Sequence, residues 1–355
     1  MSSSVPLIVF VGSYAAENEA GIHAFSFHES SGGLSPLGSF AGIPNPSFLT
    51  VHPNGRWMYA VSENSQAVDG VPGGVCALSF ERDPFALALL DRRSSGGDWP
   101  CHLSLDTSGR WLLTTNYGSG SIAVFPIQDD GRLGEMSDRV QHSGSGPNAQ
   151  RQEGPHTHSV TLSADNQFAL VADLGLDQIV LYKFDAQAGK LSRHGEARTR
   201  PGAGPRHIAL HPNGEWLYLA NELDNTVSVY SFDQKDGTLI SKQTLSSLPP
   251  GAPENTQADI HVSISGRRVY SSNRGHNSVA VYDIGGDGSL TLASIQSCGG
   301  DWPRNFALTP DGKFMLVANE RSDEVDVLPL VEGTQGVGRA VPGAKVQRAS
   351  CIKVI

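Results

Sequence analysis

The chain is poor in cysteine, poor in aromatic residues and without a long apolar run, and each shortage removes a class of protein. Its four cysteines, Cys76, Cys101, Cys298 and Cys351, stand far apart with no Cys-x-x-Cys pair. Neither a zinc-finger spacing nor the disulfide framework of a small secreted domain is present, so the cysteines read as reduced, mostly buried thiols. The formal net charge is −10, and no basic stripe interleaved with aromatics offsets it, so nucleic acid is not expected as a partner. Met1-Ser2-Ser3-Ser4-Val5-Pro6 has no positive n-region, and the apolar run after it ends by Val11. That is too short for a leader or a membrane span, and a cytoplasmic protein with no membrane partner is expected. Aromatics make up 7% of the chain and no long stretch carries the apolar period of a helix, which points to an all-β protein.

What the chain has in quantity is glycine, 40 residues, much of it in turns. Six short strands turn back at Gly55, Gly109, Asn166, Gly214, Gly266 and Gly312, as in Val51-His52-Pro53-Asn54-Gly55 and Leu210-His211-Pro212-Asn213-Gly214. Asn-Gly and Asp-Gly supply the positive backbone angles of a hairpin turn. An alternating apolar strand follows each hairpin, as in Thr226-Val227-Ser228-Val229-Tyr230 and Ser278-Val279-Ala280-Val281-Tyr282, and a fourth strand follows a polar turn such as Asp287-Gly288-Ser289-Leu290. Four strands repeated about every fifty residues are the signature of propeller blades. The predicted fold is a seven-bladed β-propeller, one domain over residues 1–355. Leu7 to Tyr14 matches a second strand, so Cys351-Ile352-Lys353-Val354-Ile355 is expected to supply the missing inner strand of the first blade and close the ring.

Two positions per repeat vary where the rest is uniform. Eight residues before the turn centres stand Ser47, Cys101, His158, Arg206, Ala258 and Arg304; eight after stand Glu63, Tyr117, Leu174, Glu222, Arg274 and Glu320. Both sets fall at one end of their hairpins, on a common rim. One residue earlier, Ser62, Asn116, Asp173, Asn221, Asn273 and Asn319 read as caps of the strand ends, and Trp57, Trp111, Trp216 and Phe314 read as packing residues. Arg206 and Glu222 are within ion-pair reach, and several guanidiniums converging on a narrow mouth call for an anion or a carboxylate among them. His156 and His158 on one strand would share a face, but no further ligands match their register, so no metal or other cofactor is expected and His158 reads as a base or donor. Cys101 reads as a small residue lining the channel, with no base evident beside it.

Along Gly202-Ala203-Gly204-Pro205-Arg206-His207 and Ala258-Asp259-Ile260-His261 through Ser272-Asn273-Arg274, the sequence resembles the seven-bladed propeller lactonase family, and the resemblance runs over essentially the whole chain. That family includes the propeller type of 6-phosphogluconolactonase and is similar to the fungal carboxy-cis,cis-muconate lactonising enzyme. The resemblance carries a histidine, two arginines and a glutamate of the proposed active site onto His158, Arg206, Glu222 and Arg274. This chain departs from the bacterial pattern at His156-Thr157-His158, where Cys-His is frequent, and at Thr256-Gln257-Ala258-Asp259, where Trp-Ala-Ala-Asp stands. The implied activity is metal-independent hydrolysis of 6-phospho-D-glucono-1,5-lactone, a small anionic substrate, by a monomer. Glu222 or His158 would be the general base and Arg206 the oxyanion donor. Arg274 with Arg304 would take the phosphate, while His156, His207 and Asp259 would bind or orient. The alternatives are a lactonising cycloisomerase and a non-catalytic binding propeller.

Overall fold

The computed structural model describes residues 6–331 and 336–355; the start of the segment weighed above as a leader lies outside them. Seven sheets of four antiparallel strands form the ring, and the only helix among the described residues is the single turn Gln66–Asp69. All six predicted turn centres have left-handed backbone angles, from φ 60° at Asn166 to 75° at Gly214.

The ring closes as the sequence predicts. Ala349–Val354 is the inner strand of blade 1 and pairs with Leu7–Ser13. At the end of the pair, Ile8 N donates to Ile355 O at 2.9 Å and Ile355 N to Ile8 O at 3.0 Å. The strand begins two residues earlier than expected, which adds Ser350 to the central ring; its Oγ donates to Ser47 O of blade 2 at 2.9 Å.

Apolar cores lie between sheets rather than within one, as in the cluster joining Leu113 and Val124 of blade 3 to Val160 and Val171 of blade 4. The recurrent aromatics lock these contacts. Trp57 packs on the turn glycine Gly131 of the next blade, and Trp111 on Gly189, so closely that a Cβ on either glycine would fall within 2.6 Å and 2.1 Å of the indole. Tyr59 Oη reinforces the first contact by donating to Gly131 O at 3.1 Å.

What positions the site is a bulge repeated in six of the seven inner strands. Between Pro205, paired with Asn221, and His207, paired with Ala220, Arg206 has no partner. The same interruption leaves Cys101, His158, Arg304 and Ser350 unpaired, and a longer one leaves Ala258 and Asp259. A bulge re-aims its extra side chain; here the extra residues turn toward the axis.

Candidate active site

The bulged residues enclose a small central pocket lined by Ser47, Cys101, His158, Arg206, His207 and Arg304, with Phe48, Glu63, Asn305 and Ser350. Blades 1 to 5 and 7 all contribute to it.

Glu222 is the hub on one side. Its Oε2 accepts from Arg206 Nε at 2.8 Å and lies 2.9 Å from Arg274 Nη2, while its Oε1 accepts from Arg151 Nη2 at 2.6 Å. The Glu222 and Arg206 side chains are 6% and 2% exposed, so this is a buried ion cluster and not an exposed salt bridge of low value. Burial pushes the Glu222 carboxyl up, but Arg274, Arg206 and Arg151 outweigh it and hold the group far below the usual carboxylate range. With both oxygens engaged by guanidiniums, this carboxylate has little capacity left to take a proton. Burial pulls Arg274 down to about 9, against Glu222, which leaves it charged at neutral pH.

Across the pocket, Arg304 is held by Tyr14 and Glu320, and Tyr14 in turn by Glu63. Its Nη2 donates to Tyr14 Oη at 2.5 Å, and its Nη1 lies 3.8 Å from Glu320 Oε2. Tyr14 Oη donates to Glu63 Oε2 at 2.9 Å, and Ser47 Oγ donates to the same oxygen.

His158 stands between these groups. Its Nε2 is 4.0 Å from Glu222 Oε2 and its Nδ1 is 3.9 Å from Cys101 Sγ, so neither nitrogen is tied to a strong partner. Burial, then Arg206, His207 and two further arginines, keep the ring neutral well below its ordinary pKa. Cys101 thus does have an imidazole beside it, unlike the expectation from sequence. Burial nevertheless pushes its thiol up to about 12, which keeps it protonated and inert.

His156 is not part of the pocket lining. The bulge at His158 breaks the alternation that would have put both rings on one face. The His156 ring stacks on Tyr117 at 4.5 Å and its Nδ1 donates to Tyr117 O at 2.9 Å. His156, expected to bind substrate, thus contacts Tyr117, whose ring His158 meets edge-on.

His207 and Asp259, expected to orient the neighbouring groups, are hydrogen-bonded to each other. His207 Nδ1 donates to Asp259 Oδ1 at 2.7 Å, which leaves Nε2 as acceptor, 3.4 Å from Arg206 Nη1. Asp259 is fixed in turn by His261 Nε2 at 2.9 Å and Asn305 Nδ2 at 2.5 Å. Arg206 Nη1 also donates to Ala258 O at 2.7 Å. Its Nη2 makes no hydrogen bond among the described residues.

The polar residues ahead of the rim are caps. Asn116, Asn221 and Asn273 are fully buried, and the Nδ2 of each donates to a neighbouring strand or loop, as Asn273 does to Ser247 O at 2.9 Å. Sequence reasoning missed Arg151, Tyr14 and Ser350. Arg151 lies in an interblade loop outside the repeat register, and nothing in the spacing marks it.

The description of a family of lactonases with a seven-bladed β-propeller matches residues 8–354. The 6-phosphogluconolactonase of Bacillus subtilis is 34% identical over 334 residues, 94% of this chain and 93% of that protein. The 6-phosphogluconolactonase of Formosa agariphila is 33% identical, over 89% of this chain and 90% of its own. Among solved structures, the periplasmic gluconolactonase of Pseudomonas aeruginosa superposes with a TM-score of 0.91 at 29% identity, with 99% of each chain covered.

Proposed function

The chain belongs to the seven-bladed β-propeller lactonase family, and we propose that it hydrolyses 6-phospho-D-glucono-1,5-lactone to 6-phosphogluconate. The observation that carries this reading is the charge balance at Glu222, where three guanidiniums share one carboxylate beside a neutral imidazole. Such a cluster favours an anionic substrate and the anion that forms during reaction.

In this mechanism a water between His158 and the lactone attacks C1 while the imidazole takes its proton. The carbonyl electrons move to oxygen, and Arg206, through the Nη2 that its other bonds leave unused, stabilises that oxyanion. Collapse breaks the C1–ring oxygen bond, and the His158 proton passes to the departing oxygen. Water is consumed and the hydroxy acid is formed. Glu222 serves as the counter-charge that gathers Arg151, Arg206 and Arg274, and His158, not Glu222, is the base. Asp259, through His207, orients Arg206.

No helix among the described residues is long and apolar enough to cross a membrane. A phosphorylated sugar does not cross a bilayer unaided, so we place the reaction in the cytoplasm. The ring acts as one domain, since its site draws on most of its blades, and as a monomer with no partner beyond its substrate.

A substrate panel tests the reading. Freshly generated 6-phosphogluconolactone, glucono-1,5-lactone and a carboxymuconate are each followed against an enzyme-free control. The phosphorylated lactone is expected to be the fastest. Turnover of the carboxymuconate alone would replace hydrolysis with cycloisomerisation.

A further inference from the structure

We propose that Arg151, which reaches the site through Glu222, is its specificity residue and grips the phosphate of the substrate. The inference rests on the lactonase reading above and names the group that separates a phosphorylated lactone from a plain one.

The four arginines are not equivalent. The Arg206, Arg274 and Arg304 side chains are 2%, 6% and 19% exposed, whereas Arg151 is 39% exposed. Arg274 spends its Nη2 on Glu222 and on Gln257 O at 3.0 Å, and its Nε on Thr256 O at 3.4 Å. Arg151 uses only Nη2, toward Glu222 Oε1 and Tyr117 Oη at 3.3 Å. Its Nε and Nη1 make no hydrogen bond among the described residues. A planar guanidinium held by one arm keeps the other edge for a bidentate grip on phosphate.

Position agrees with chemistry. With C1 of the lactone against Arg206, the phosphate on C6 stands across the sugar from it, and Glu222, whose two oxygens bind the two arginines, sets their separation. A dianion is costly to bury, so a half-exposed arginine suits it better than the enclosed ones.

The loop is also built to hold Arg151 still. The next residue, Gln152, is fully buried, and its Nε2 donates to Leu174 O and Asp177 Oδ1, both at 2.8 Å. At the start of the loop, His142 Nδ1 donates to Asp173 Oδ2 at 2.6 Å and its Nε2 meets Tyr182 Oη at 2.7 Å. A cation fixed before binding loses less freedom when the ligand arrives.

The test compares wild type, Arg151→Gln and Arg151→Lys on the phosphorylated and the unphosphorylated lactone, with titration of inorganic phosphate by calorimetry. Gln keeps a donor for Glu222 but no charge, so it separates the structural contact from the phosphate contact. The expected result for Arg151→Gln is a fall of about 10- to 100-fold in kcat/KM for the phosphorylated lactone, chiefly through KM. Its preference for that substrate should drop at least about tenfold, with Lys intermediate, and phosphate should bind correspondingly more weakly. Equal losses on both lactones, with phosphate binding unchanged, would overturn the proposal. If wild type hydrolyses neither lactone, the lactonase reading fails, and the phosphate titration still decides whether Arg151 holds the anion.

Discussion

Arg206 and Glu222, sixteen positions apart, meet at 2.8 Å between Nε and Oε2, and this contact organises the pocket. Arg206 is aimed at the axis by its bulge, and the carboxylate it meets also binds Arg151 and Arg274.

Removing that carboxylate leaves three guanidiniums without a counter-charge. Breaking a buried ion pair by deleting one partner costs about 3–5 kcal/mol. Glu222→Gln is therefore expected to unfold several degrees below wild type in a thermal melt, and added phosphate or sulfate is expected to recover part of the loss by binding among the arginines. An unchanged melting temperature would show that the cluster is not held by Glu222.

With His158 as the proposed base, its imidazole would set the acid side of the activity profile. Because the folded protein keeps its imidazole neutral well below the ordinary pKa, kcat/KM should stay flat as pH falls from 8 through about 6.5, where an unperturbed histidine would already be half protonated. His158→Gln should lower kcat by about 10²–10⁴-fold with a smaller change in KM. An acid limb centred near pH 6.5 in wild type would contradict this assignment.

His102 isolates the same physics in stability. Its ring packs on Phe48 at 4.4 Å and faces His207 at 5.3 Å, and burial, then His207 and Lys353, hold it neutral well below its ordinary pKa. The unfolded chain binds that proton first, so wild type loses this contribution as pH falls below about 6.5. The melting temperature of His102→Gln, relative to wild type, should therefore rise between pH 7 and pH 5. A difference independent of pH would show that His102 titrates normally.

Cys101 lies 3.9 Å from an imidazole nitrogen yet remains a thiol. Cys101→Ala should keep activity within about threefold, and native protein should resist alkylation at neutral pH, when only thiolate reacts. Loss of activity on alkylation of Cys101 would indicate a covalent route.

The blades were legible because turn chemistry and strand alternation are local, and Gly55 through Gly312 mark six hairpins without reference to tertiary contacts. The rim was legible because Arg206, Glu222 and Arg274 keep a fixed distance from those turns. The bulges were not, since a one-residue register shift leaves no mark in composition; this is why His156 and His158 were expected to share a face. Nor was the partition of charge. Glu222 or His158 reads as the base from the sequence, and no spacing announces the three arginines that meet at the Glu222 carboxylate and hold it charged. One of them, Arg151, comes from a loop with no repeat to index it.

The most direct measurement is hydrolysis of freshly generated 6-phosphogluconolactone, followed above its spontaneous rate, by wild type and by folded Arg206→Ala. Clear acceleration by wild type is expected, with a loss of about 10²–10³-fold in kcat for the variant, the value of one oxyanion donor. A wild type no faster than the spontaneous reaction would overturn the lactonase reading, and a variant as fast as wild type would remove Arg206 from the reaction.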